Sequence, residues 1–267
     1  MVRGGGLMTR IAVITGGAGG LGRALARALQ ADAWHTLLID QPGPELEALA
    51  AIPGRQSIYA CDLTDPDQVA RTCAEIRRAH PQINLIIYSA GVTQISLFAD
   101  TPLEVHRKVI DVNYFGAVLV ARELLLAVRA ARGTHLAISS VAGFSPLYKR
   151  TAYAASKHAI VGFFSSLRSE EKPYGVNVLI AAPSFIATNV NHKSTNDGDL
   201  TRPGSARDGI AHLSADDAAR IILKGMRRNQ KMIPVGIVAH LAWRLNRLFP
   251  SLYGWIMERK IKTGSSR

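Results

Sequence analysis

Ile11-Ala-Val-Ile-Thr-Gly-Gly-Ala-Gly-Gly-Leu-Gly-Arg-Ala-Leu-Ala-Arg-Ala-Leu29 is the stretch that decides the fold. Its β-branched opening predicts a strand, Gly16–Gly22 a turn, and the alanine–leucine run from Arg23 a helix. Strand, glycine turn and helix in that order are the parts of a dinucleotide site. Glycine lets the backbone approach a pyrophosphate with no Cβ in the way, and a helix amino terminus favours its negative charge. The glycines fit two registers: Gly17, Gly19 and Gly22 match G-x-G-x-x-G, while Thr15, Gly16, Gly20 and Gly22 match T-G-x-x-x-G-x-G. Spacing does not choose between them, and alone the run is only a flexible turn.

Two features downstream sharpen the reading. The next strand, His35-Thr-Leu-Leu-Ile-Asp40, ends in a carboxylate 18 residues beyond Gly22. An acid there accepts from both ribose hydroxyls of NAD and repels the 2′-phosphate of NADP. No Arg or Lys lies within Gly16–Gly22; Arg23 and Arg55 are the candidate partners of such a phosphate. In Thr151-Ala-Tyr-Ala-Ala-Ser-Lys-His158, helical spacing stacks Lys157 beside Tyr153. A free phenol titrates near ~10, so it needs a neighbour that favours phenolate before it can act as a base. At ~4 Å and an effective dielectric of ~20 one positive charge supplies roughly 4 kcal/mol, or about three pKa units.

Taken together these residues resemble the short-chain dehydrogenase/reductase family over Thr15 to about Thr188. The resemblance selects the second glycine register and implies a single-domain, Rossmann-type α/β fold: a doubly wound parallel sheet of about seven strands flanked by helices. It implies cofactor contacts at Thr15, Gly16, Gly20, Leu21, Gly22, Asp40, Asp62, Leu63, Ala90, Gly91, Tyr153, Lys157, Pro183, Ile186 and Thr188. It implies a catalytic set of Asn113, Ser140, Tyr153 and Lys157, with Ser140 lying 13 residues before Tyr153 and Ser139 one residue out of phase. Two departures stand out: Tyr88-Ser-Ala-Gly91 keeps only the Ala-Gly half of Asn-Asn-Ala-Gly, and Pro183-Ser184 replaces Pro-Gly. The implied reaction is hydride transfer between a secondary alcohol or its carbonyl and NAD, with NADP as the alternative cofactor and no metal. An NADPH-dependent carbonyl reductase and a non-catalytic cofactor sensor are the rival readings.

Composition agrees with one soluble domain of residues 10–236. The chain has 267 residues, 48% of them apolar, and a mean hydropathy of +0.09. No run of 18 apolar residues suggests a span, and a cytoplasmic homodimer or homotetramer is expected. Cys61 and Cys73 read as buried free thiols, without a metal-ligand partner nearby. Residues 1–9 read as a flexible leader. Strands are expected at 10–15, 35–40, 57–61, 84–89, 134–139, 176–181 and 231–235, and helices near 20–31, 66–80, 102–131, 152–172 and 214–229. Thr101-Pro-Leu-Glu104 and Ser214-Ala-Asp-Asp217 read as capping boxes. Asn189–His212, rich in turn formers, reads as a lid over the substrate. Phe185, Ile186, Leu200 and Trp243 hint at a bulky apolar alcohol such as a sterol or long-chain compound.

The charge is uneven. Of a net +12, residues 220–267 carry eleven Lys and Arg against Glu258 alone. Residues 237–267 read as a basic amphipathic extension, with Leu241, Leu245, Leu248 and Phe249 on one face, His240, Arg244 and Arg247 on another, and Trp243, Tyr253 and Trp255 flanking. Such a helix packs on the pocket or a neighbouring subunit, or lies on an anionic membrane. Nucleic acid lacks any reading motif here.

Overall fold

A computed structural model describes residues 9–187, 200–204 and 213–264, with side chains to 257. The elements in chain order are β1 (Ile11–Thr15), α1 (Gly20–Ala31), β2 (His35–Asp40), α2 (Pro44–Ala50), β3 (Gln56–Ala60), α3 (Pro66–Ala79), β4 (Leu85–Tyr88) and β5 (Thr93–Gln94). Then come α4 (Leu103–Ile110), α5 (Gly116–Ala130), β6 (Thr134–Ile138), α6 (Thr151–Glu171), β7 (Asn177–Pro183) and β8 (Ile186–Ala187). The chain continues through β9 (Leu200–Thr201), β10 (Leu213–Ser214), α7 (Ala215–Arg227), β11 (Met232–Val235), α8 (Ile237–Leu248) and α9 (Pro250–Gly264).

Seven parallel strands form one sheet in the order β11-β7-β6-β4-β1-β2-β3. Alternate residues of each strand face opposite layers. Val13, Leu37, Ile86 and Ile180 meet α3, α5 and α6, whereas Ala12, Ile14, Leu38, Ile87 and Val235 meet α1, α2 and α7. Both faces are covered, so the central strands are mostly apolar; all five residues of β1 are buried. Phe164 of α6 is fully buried, which stabilises the fold by about 2–3 kcal/mol. Strand order reverses between β1 and β4, opening a crevice at their carboxyl ends. On the other layer α7 lies along α1, with Arg27 2.6 Å from Asp216 and Arg227 paired with Asp32.

The expected strands and most helices are found within one or two residues, and α2 is an addition. The helix expected at 102–131 is broken. α4 and α5 are separated by a turn of wider, π-type winding, Asp111–Phe115, which carries Asn113 into the interior. Such a turn redirects one side chain at the cost of helical hydrogen bonding. Ser214 caps α7 through Asp217 N at 3.0 Å, as a capping box requires. Thr101 does not cap α4: its hydroxyl donates to Leu97 O at 2.6 Å, and Pro102 takes the cap position. Cys61 and Cys73 are buried free thiols, and burial pushes Cys73 up to about 12.

Candidate active site

The glycine turn is tight for steric reasons. Gly16 has φ +68°, and a Cβ there would stand 2.7 Å from Ala90 Cα; one on Gly22 would stand 2.1 Å from Gly16 O. Those contacts fall on the T-G-x-x-x-G-x-G register, although Gly17 is also close-packed, 2.7 Å from Leu38 Cβ. Thr15 Oγ1 accepts from Ser89 N at 3.2 Å and Ala90 N at 3.3 Å, tying the end of β1 to the segment after β4. Gly19 occupies the cap position of α1 without a side-chain hydrogen bond, so the cap residue itself leaves the first-turn N–H groups unanswered. A pyrophosphate fits that cradle.

Asp40 closes the cradle from β2. Its Oδ2 accepts from Ala18 N at 2.8 Å and its Oδ1 from Gln41 N at 2.9 Å. Arg55 cannot act here: it donates to Ala33 O at the opposite end of β2, about 16 Å away at ~3.3 Å per residue. Arg23 is exposed on α1. Asp62 lies beyond β3, its Oδ1 accepting from Thr64 N at 2.9 Å and Thr64 Oγ1 at 2.8 Å. Burial raises its carboxyl, but these bonds, the Gln41 side chain and the Lys108 charge outweigh it and hold the group below the usual carboxylate range.

The four residues of the expected catalytic set converge beside this cradle. Tyr153 and Lys157 lie one turn apart on α6, buried, with Lys157 Nζ 5.7 Å from the Tyr153 ring centre. Lys157 Nζ donates to Ile138 O at 2.9 Å, and burial lowers its pKa to about 8. Ser140 hydrogen-bonds Tyr153, while Ser139 turns away to donate to Lys157 O at 3.1 Å. Asn113 is locked: Oδ1 accepts from Val92 N at 2.8 Å, and Nδ2 donates to Val92 O and Ser156 Oγ, each at 2.9 Å. Gly91 leaves room between Asn113 and Lys157; a Cβ there would be 3.2 Å from Asn113 Oδ1.

Arg150 is the member that sequence reasoning missed. It precedes Tyr153 by one helical turn, is buried, and donates from Nη1 to Thr93 Oγ1 at 3.1 Å. Burial raises the Tyr153 phenol, and the Ser140 hydrogen bond and then the Arg150 charge oppose that rise. Tyr153 N also donates to Gln94 Oε1 at 3.1 Å, so β5 is held against the start of α6 at two points. An Arg at i−3 of the tyrosine was visible in the sequence, but nothing there separated a buried guanidinium from a solvated one.

The departures from the family pattern are accommodated. Tyr88 fills the interior by hydrogen-bonding His135 Nδ1 at 2.6 Å and packing 4.8 Å from the Phe164 ring centre. Ser184 takes no left-handed backbone, and its N–H and hydroxyl both donate to Val235 O at 3.2 Å. Ile186 pairs with Leu213 in a small parallel sheet. Thr188 and most of the expected lid, 189–199 and 205–212, lie outside the described residues. Leu200–Thr201 within it pairs antiparallel with β5.

Comparison with known proteins follows the same lines. The short chain dehydrogenase family model matches residues 10–199. The dehydrogenase/reductase SDR family member 7B of Bos taurus is 32% identical over 265 residues, covering 94% of this chain and 81% of that protein. A short chain dehydrogenase/reductase of Burkholderia phymatum, solved in complex with NAD, has a TM-score of 0.78 at 20% identity and covers 91% of this chain and 95% of its own. A short chain dehydrogenase of Burkholderia cenocepacia J2315, solved with NADP, has a TM-score of 0.77 at 21% identity with the same coverage.

Proposed function

The chain belongs to the short-chain dehydrogenase/reductase family, and on that premise we propose that it transfers hydride reversibly between a bulky, apolar secondary alcohol or its ketone and NAD. The convergence of Ser140, Tyr153, Lys157 and Asn113 beside the glycine cradle carries this reading. Gly16, Gly22 and the open amino terminus of α1 would hold the pyrophosphate, Asp40 the ribose hydroxyls, and Asp62 the adenine. NAD, when bound, would supply the hydride acceptor.

In the oxidative direction Tyr153 removes the hydroxyl proton while Ser140 donates a hydrogen bond to the oxygen, so both contacts strengthen as charge develops. The Arg150 and Lys157 charges favour the phenolate form that this step needs. Both Nδ2 hydrogens of Asn113 are committed. A relay water toward Lys157 is therefore held by an acceptor oxygen of Asn113. The enzyme works in the cytoplasm as a homodimer or homotetramer, and its basic carboxy-terminal segment makes peripheral membrane contact.

Asp40 supports NAD over NADP: its carboxylate, held beside the glycine turn by the hydrogen bond from Ala18 N, would repel a 2′-phosphate. NADP is the second reading, since relatives of the same fold bind either cofactor. Binding titrations with both cofactors, followed by a redox screen over alcohols and ketones, test the assignment. NAD should bind more tightly to wild type, and Asp40→Ala should narrow the gap by roughly tenfold, the scale of one relieved charge contact of about 1.4 kcal/mol. Tighter wild-type binding of NADP would overturn it.

A further inference from the structure

The α8–α9 pair leaves a large apolar surface in solvent. Ile237, Leu241 and Leu248, at 80%, 63% and 68% exposure, share one stripe of α8, and Phe249, Leu252 and Trp255 continue it, each about half exposed. Soluble proteins seldom present a contiguous apolar face of this kind without a partner for it. Arg244 stands within the stripe, seven residues from Ile237, and Arg247 lies beside it, its guanidinium 5.6 Å from the Trp243 ring centre. This differs from the sequence reading, which put Arg244 on a face apart from Leu241 and Leu248.

We propose that this face docks on an anionic lipid bilayer. Charge selects that occupant: α8 contains no acidic residue and α9 only Glu258. A twofold contact with a second copy would set Arg244 and Arg247 against their own images with almost nothing to neutralise them. A bilayer takes up the apolar side chains while the long arginine stems reach the anionic headgroups.

The site beneath gives the contact a purpose. The inner face of the pair, Ala239, Ala242 and Tyr253, is buried, and α8 packs on the short turn Val141–Gly143 that follows Ser140. The Tyr253 hydroxyl pairs with Ser145 Oγ in the same loop. Docking therefore brings the membrane next to the catalytic serine loop and, resting on the oxidoreductase reading, admits an apolar alcohol from the bilayer.

Purified full-length protein would be sedimented with vesicles of phosphatidylcholine alone and of phosphatidylcholine mixed with phosphatidylserine. Binding should favour the mixed vesicles and weaken with salt, because the Debye length is only ~8 Å at physiological ionic strength. Arg244→Gln and Arg247→Gln should each weaken it about fivefold, the factor that ~1 kcal/mol represents, and Leu241→Glu should remove it. All three positions are outside the core, so turnover of a water-soluble alcohol should be unchanged. No preference for anionic vesicles at low salt overturns the proposal. So does a wild-type dimer that Leu241→Glu splits in sizing chromatography without any vesicle binding. Vesicle binding together with a complete absence of redox activity would leave the docking intact and defeat only the oxidoreductase reading.

Discussion

Two cations stand by the Tyr153 phenol: Lys157 of α6, to which alone the sequence assigns its support, and Arg150, which the structure brings to it from the cap position before α6. Lys157 is a buried amine whose pKa falls to about 8, so its charge fades in the range where alcohol oxidation is favoured, whereas the Arg150 guanidinium stays protonated. The groups facing the phenol are Ser140 from the β6 loop, Lys157 from α6 and Arg150 from the cap position before it. Arg150→Gln should move the rising limb of the pH profile for oxidation to higher pH by about one unit, because phenolate loses a stabilising charge. Arg150→Lys should recover part of the shift, which loss of the Thr93 hydrogen bond alone would not explain; an unmoved profile would reject the role. Tyr153→Phe keeps the ring and removes the proton carrier. Cofactor should still bind by titration, and turnover should fall by at least ~10²-fold. Retention of most activity would mean that another group moves the proton.

Among elements, the pair joining β4 and β6 makes the sharpest claim. Tyr88 and His135 hydrogen-bond one another at 2.6 Å, yet His135 Nε2 has no hydrogen-bond partner among the described residues. Burial lowers the His135 pKa to about 4. Between pH ~6.5 and about 4 the unfolded chain therefore binds a proton that the folded chain refuses, so stability rises with pH there and is lost on acidification, by up to ~3 kcal/mol. Tyr88→Phe alone orphans the imidazole and should cost about 1–3 kcal/mol in denaturant melts. Tyr88→Phe with His135→Leu should be near neutral or stabilising at pH 7 and should flatten the acid dependence. A steep acid loss in the double variant would place the dependence elsewhere. The strands were legible because their apolar runs are short and bounded by turn residues. The break at Asp111–Phe115 was not, since local periodicity runs through Asn113 and only the contacts to Val92 and Ser156 draw it inward.

Across the whole molecule, the motifs from Thr15 to Lys157 told more about the site than about its surroundings. Asp40 could be placed because the second strand ends at it, and Ser140 because the family resemblance sets a serine 13 residues before Tyr153. The burial of Arg150, the distant position of Arg55 and the exposure of the α8 stripe depend on what packs where, and one sequence does not encode that legibly. The α1–α7 contact has a further bearing on how the protein is made. Asp32 and Arg227 meet although 195 residues separate them. At ~5–20 residues per second a ribosome needs on the order of ten to forty seconds to bring the second to the first. Throughout that interval the side of α1 that α7 covers stays open, and contacts so remote in the chain form slowly. Nascent chains halted before Ala215 should accordingly be cut by protease within α1, and chains released after Val235 should resist. Equal resistance in both would mean that the amino-terminal half matures without its late partner.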